Sequence, residues 1–157
     1  MAMKKIRLTN EKLLAAFNIL NAANYKQMDD GDKIKLWRIV RAMKPSATQF
    51  EEASKDAAEK LKPEGIEAML EKAREYEQKM KSGKADKLPL TEEEYQTWMR
   101  EVWLPYSNLV NKAVGDIAQT EVEIEFEPLS EEAFGKLMAS NDWKIQQADV
   151  VGELIIE

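Results

Sequence analysis

The chain of 157 residues contains neither cysteine nor histidine. Without cysteine there can be no disulfide and no thiolate metal site, and nothing argues for secretion. Without histidine as well, the commonest nucleophile–base pairs and the usual zinc ligands are missing. Glycine is scarce, and the six glycines are scattered, with no G-x-G-x-x-G and no P-loop. No Ser-x-x-Lys or Gly-x-Ser-x-Gly gives a serine an activating context. No apolar run approaches the roughly 18 residues that would suggest a membrane span. Arg7, Asn10, Glu11 and Lys12 interrupt the first 24 residues, which do not read as a signal peptide. The expectation is a soluble, cytoplasmic protein that is not an enzyme. No catalytic, cofactor-binding or metal-binding residues are assigned, and no cofactor.

Carboxylates are plentiful, but number is not geometry: a glycosidase-type pair needs a cleft holding two acids at a defined separation. Asp29-Asp30-Gly31-Asp32 has the look of a calcium loop but lacks its ligand spacing and closing glutamate. These aspartates suit the start of a helix, near the positive end of its dipole. The net charge of −6 is unevenly spread. Residues 1–50 carry ten basic and four acidic side chains, a net +6, and residues 51–157 carry −12. Such asymmetry marks either a nucleic-acid or membrane contact or two halves that neutralise each other, and the internal explanation is preferred.

The length suits one domain spanning residues 1–157, able to bury roughly 70% of its unfolded surface. Lys4-Lys5-Ile6-Arg7-Leu8 alternates like a strand and meets the N-cap types Thr9-Asn10, followed by a helix over about 11–23. Leu36, Val40, Met43, Ala47, Phe50, Ser54, Ala57 and Leu61 form a heptad seam, which predicts a long helix over about 32–60. Pro45 lies inside it, so the prediction is two nearly collinear segments or one kinked helix. Pro63 suits the first position of a further helix, with Ile66, Met69, Ala73, Tyr76 and Met80 on one face. KSGKADKLP reads as a mobile polar connector. Thr91-Glu92-Glu93-Glu94 is a capping box opening a helix that breaks near Pro105 and resumes to about Gln119. Its expected inner face is Tyr95, Trp98, Val102, Leu109, Ala113 and Ile117. Ser130 caps a short helix to about Ala139. The tail ADVVGELIIE fits a helix capped by Asp149, with a strand as the alternative.

The segment EVEIEFE, residues 121–127, places four glutamates on one face of a strand and three hydrophobes on the other. Neighbouring carboxylates about 7 Å apart repel by roughly 0.6 kcal/mol in a water-like dielectric. A basic strand opposite would relieve this, and residues 4–8 form the only other cleanly alternating segment. Pairing residues 4–8 with 121–127, antiparallel, puts Ile6, Leu8, Val122, Ile124 and Phe126 inside and Lys5 and Arg7 among the glutamates. An acidic strip for a basic partner or divalent ion is the alternative. The fold class is therefore mainly α (α+β): a helical bundle of long amphipathic helices with one small two-stranded sheet.

Two aromatic groups are candidates for an interaction surface. Trp37 lies off the heptad seam beside Arg38 and Arg41, and either packs on another helix or forms an exposed basic–aromatic patch. Lys35, Arg38, Arg41 and Lys44 spiral around the helix rather than lining up, which weakens a phosphate-tracking reading. Trp103 and Tyr106 flank the break at Pro105. Burial is the favoured reading there, and exposure would make them binding anchors. The candidate surface is therefore Trp37, Arg38, Arg41, Trp103 and Tyr106.

LTNEKLLAAFNILN, KIKLWRIVRAMKPSATQFEEASKDAAEKL and EVEIEFEPLSEEAF, in that order, resemble a family of small, uncharacterised bacteriophage and prophage proteins. The likeness is a short basic strand, an early helix with an Asn–Leu rhythm, a long helix rich in Glu and Lys, and a late acid-alternating strand. It covers about half the chain and carries no catalytic motif. The family's long helix is uninterrupted, whereas Pro45 sits inside it here, and residues 82–112 have no counterpart. The resemblance implies a phage-encoded accessory or structural protein in a bacterial host. The leading expectation is a non-enzymatic protein acting by protein–protein interaction, including self-association through the seam, in virion assembly. The alternative is a host-directed or nucleic-acid-associated regulator using the basic half.

Overall fold

The computed structural model describes residues 2–83 and 87–157. The chain is mostly helical with one small antiparallel sheet, as the pattern predicts. It divides into two compact units, Met1–Ala53 with Asp116–Glu157, and Ser54–Gly115. KSGKADKLP spans residues 84–86, so its reading as a connector lies in part outside the described residues.

In the first unit, strand β1 (Lys4–Thr9) pairs antiparallel with β2 (Glu121–Phe126). Lys5 lies opposite Glu125, Ile6 opposite Ile124 and Arg7 opposite Glu123. Leu8, Ile124 and Phe126 are buried, while Ile6 and Val122 are half-buried against the same core. The charges pair on the diagonal. Lys5 Nζ lies 3.0 Å from Glu123 and Arg7 Nε 3.0 Å from Glu121. Glu127 meets Lys35 at 3.4 Å. The glutamate strip thus carries counter-charges from its own unit, which answers the repulsion problem internally. Bonding and attraction from Glu123, then Glu125, hold the Lys5 ammonium above its ordinary range.

Helix α1 (Asn10–Asn21) is capped by Thr9, whose Oγ1 accepts from the Lys12 amide. Asn10 does something else: its amide donates to Thr120 O at 3.0 Å and its Nδ2 to Ile117 O at 2.9 Å. A buried side-chain amide is tolerable only when bonded in this way. Helix α2 (Asp30–Leu61) runs through Pro45 as one continuous helix. Leu36, Ile39, Met43, Ala47 and Phe50 are its buried residues, so the inward stripe includes Ile39, and Val40 lies at its margin. The seam up to Ala47 packs into the unit's own core.

Helix α6 (Glu131–Ala139) is capped by Ser130, and α7 (Ile145–Ile155) begins four residues before Asp149. Asp149 is therefore mid-helix, and the backbone at Lys144 is the cap. The helical reading of the tail holds and the strand alternative does not: just past α7, Ile156 forms only an isolated parallel bridge with Leu129. Leu129 N donates to Ile155 O at 2.7 Å and Glu157 N to Leu129 O at 3.1 Å. Lys4 Nζ donates to Ile156 O at 2.7 Å, placing a cation at the negative end of the helix dipole.

In the second unit, Lys62 Nζ sits 2.8 Å from both Glu59 and Glu67, which together raise its pKa. Helix α3 (Ile66–Lys81) starts after Gly65, whose φ of 77° suits glycine, so Pro63 precedes the helix rather than opening it. Helix α4 (Glu92–Trp98) starts with the predicted box, Thr91 Oγ1 accepting from Glu94 N and Glu94 Oε1 from Thr91 N. A π-helical turn (Met99–Trp103) joins it to α5 (Leu104–Ala118), so the expected break is a widening. Leu104 N donates to Met99 O, five residues back. The wide turn lies just before Pro105, whose ring would collide with the Glu101 carbonyl in a regular α-helix. It also brings Trp98 over Trp103, with ring centroids 5.8 Å apart. Leu109, expected inside, is exposed.

Candidate interaction surface

In α2, Leu36, Ile39 and Met43 face the core, which turns Trp37, Arg38, Arg41 and Lys44 outward. Trp37 is 56% exposed, an unusual state for so large an apolar ring. The Arg41 guanidinium lies 4.7 Å from its ring centroid. Such stacking holds a cation over an aromatic face while leaving its outer edge free to bind.

The wall facing Trp37 comes from the end of α1 and residues 22–29. Asn141 clamps this segment: its Oδ1 accepts from Asn24 N at 2.8 Å and its Nδ2 donates to Asn24 O at 2.7 Å. Gln27 N donates to Ser140 Oγ at 3.1 Å, Lys136 pairs with Asp29 at 3.0 Å, and Met28 is buried. That ion pair, with Asp29 the largest contributor, raises the Lys136 pKa. The clamped segment presents Tyr25, 52% exposed, with Lys33 Nζ 6.0 Å from its ring. Ile34 is 51% exposed beside it.

Two cavities adjoin here. One, of about 330 Å³, is lined by Leu20, Tyr25, Ile34, Leu36, Trp37 and Val40 among others. The other, of about 720 Å³, is lined by Trp37, Val40, Arg41, Lys44, Pro45 and Thr48 among others. Trp37 and Val40 belong to both. Lys35 is turned away and paired with Glu127. Among the described residues, no carboxylate pairs with Arg38, Arg41 or Lys44. The surface thus combines aromatic faces, an apolar floor and cations that no carboxylate of the described residues neutralises.

Trp103 and Tyr106 belong to the other unit and line neither of these two cavities. Tyr106 is buried at 9% exposure and its hydroxyl donates to Ala58 O at 2.9 Å, so it is a core residue rather than a free anchor. Trp103 is half-buried, 5.8 Å from both Trp98 and Tyr106, and lines a cavity of about 380 Å³ with Lys62, Leu70 and Arg74 among others. Among the described residues, no group of three or more acidic side chains is placed to hold a metal ion. Sequence reasoning missed Tyr25, Lys33 and Ile34. Lys33 and Ile34 lie four and three residues before Trp37, so helical spacing could have found them. Tyr25 has no periodic signal. No helix is long and apolar enough to cross a membrane among the described residues. No protein-family model matches the chain, and no curated protein or solved structure does.

Proposed function

We propose that this chain is a non-enzymatic, phage-encoded accessory or structural protein that works in the bacterial cytoplasm by protein–protein contact, with virion assembly as its setting. The observation that carries the contact reading is Trp37, exposed under a stacked Arg41 between two adjoining cavities. Tryptophan, tyrosine and arginine are the residue types most enriched among binding hot spots. The phage setting draws on the resemblance of the three quoted segments. The upper seam is buried in the unit's own core, so it is not free to take a second copy of the chain.

A photo-crosslinking residue at Thr48, in cells carrying the phage, tests the reading. The expected result is an adduct with a virion-morphogenesis protein that disappears in Trp37→Ala. No adduct, or one indifferent to that substitution, overturns it. A monomer by light scattering at all concentrations removes self-association.

Arg38, Arg41 and Lys44, without paired carboxylates, favour a second reading as a nucleic-acid-associated regulator. Three phosphate contacts give a salt slope of only about −3, well short of the 6–10 contacts of strong binders. Undetectable DNA and RNA binding at low salt disposes of it.

A further inference from the structure

We infer that the partner seated on the Trp37 surface is an acidic, amphipathic helical segment of another protein. This rests on the interaction reading above and specifies the chemistry of the partner. The shape comes first. The two cavities share Asn21, Trp37 and Val40, and together follow α2 from Lys33 to Glu52. At 1.5 Å per residue that is a trough of about 28 Å, the length of a helix of roughly five turns. Helices lie in such grooves by placing apolar anchors at i, i+3 or i+4, and i+7.

The lining supplies the anchor sites. Trp37 and Ile34 stand above a floor that includes the buried Leu20 and Leu36. An aliphatic floor suits apolar side chains and offers nothing to a phosphate. The charge then chooses among helices. Arg41 and Lys44 line the trough, which also reaches Glu52, and among the described residues no carboxylate pairs with either cation. A helix with glutamates or aspartates beside its apolar stripe would supply the missing counter-charges. A basic helix would meet like charge, which complementary interfaces avoid.

The test is a displayed library of random peptides of roughly 18 residues, long enough for a five-turn helix. It is selected on the full chain and counter-selected on Trp37→Ala. The expected winners have spaced apolar residues flanked by Asp or Glu. They lose at least about tenfold in affinity against Arg41→Glu/Lys44→Glu, with circular dichroism showing that variant folded. Exchanging the winners' acids for lysine should recover affinity on the same variant. Neutral or basic winners, no winners, or displacement of the peptides by single-stranded oligonucleotide overturns the inference. Should that happen while the Thr48 cross-link remains dependent on Trp37, only the partner's chemistry is wrong. Should the cross-link be absent as well, the interaction reading falls with it.

Discussion

Pro45→Ala should stabilise the protein. Pro45 lies inside the continuous helix α2, fifteen residues after its start at Asp30, and its side chain is exposed. It has no amide hydrogen to donate to the Arg41 carbonyl, and its ring crowds that carbonyl. The penalty relative to alanine in a helix interior is about 3 kcal/mol. Proline offsets part of this by restricting the unfolded chain, an effect of roughly 0.4–1 kcal/mol that alanine forfeits. Because the ring is exposed, little packing is lost, and the net gain comes to about 2 kcal/mol. With a urea m-value of roughly 1–3 kcal/mol/M, the midpoint should rise by about 1 M. Far-UV circular dichroism reports the helix, and an unchanged m-value shows that stability rather than compactness has moved. An unchanged or lowered midpoint refutes the reasoning. It would mean that α2 is bent at Pro45 to suit the core, so that straightening it costs as much as the new hydrogen bond returns.

Three further outcomes follow from the packing and the charges. Leu137→Ala, at a fully buried position of the first unit's core, should cost about 2–5 kcal/mol by chemical denaturation, and a loss below 1 kcal/mol would mean the site collapses around the gap. Arg7→Glu should weaken the β1–β2 pairing, and Glu121→Arg in that background should recover a coupling of roughly 0.2–1 kcal/mol that shrinks as salt is added, whereas additive losses would mean the diagonal pair contributes nothing. Tyr95, bonded to Glu77 and stacked 4.5 Å from Tyr76, has its pKa pushed up to about 12 from 10.0, first by that bond and then by burial. The fold favours the neutral phenol, so this stabilisation is complete below pH 10 and fades as pH rises through about 12. The stability advantage of wild type over Tyr95→Phe should therefore vanish across that window, and the phenolate absorbance lost in that variant should be a late-titrating component; a constant difference, or loss of a component that titrates near pH 10, would defeat the assignment.

The sheet was the most legible part of the fold. Period-2 alternation and opposite charge are both local signals, and only one other segment could complement EVEIEFE. Thr9, Thr91 and Ser130 were legible as caps because the cap bond closes within three residues. Legibility failed where a helix departed from the template applied to it. The heptad reading takes Val40 as the inward residue between Leu36 and Met43, whereas Ile39 is the one fully buried there and Val40 is half-buried at the margin. A 3.6 period carried through residues 99–103 picks Leu109. The π turn inserts one residue there, so the inward face runs through Tyr106 and Val110. Pro105 was visible as a disturbance, but not whether it would break the helix or widen it.

The same misplaced residue explains why the surface around Trp37 was only half visible. If Val40 were central to the inward stripe, as the heptad has it, Trp37 would flank the core and its exposure would be hard to understand. With Ile39 inward, half-buried Val40 lies at the margin of the core and lines both cavities together with Trp37. Leaving a tryptophan half in water forgoes about 3 kcal/mol, taking roughly half of a 250 Å² side chain at 25 cal/mol/Å². A fold that needed that energy could bury the ring or carry a polar residue there, as it does with Arg38 and Lys44. Tyr25 is held opposite by a reciprocal pair of hydrogen bonds between Asn24 and Asn141, 117 residues apart in sequence, which no local pattern could disclose. Local rules therefore account for the helix that carries Trp37, and only the folded unit accounts for the wall that faces it.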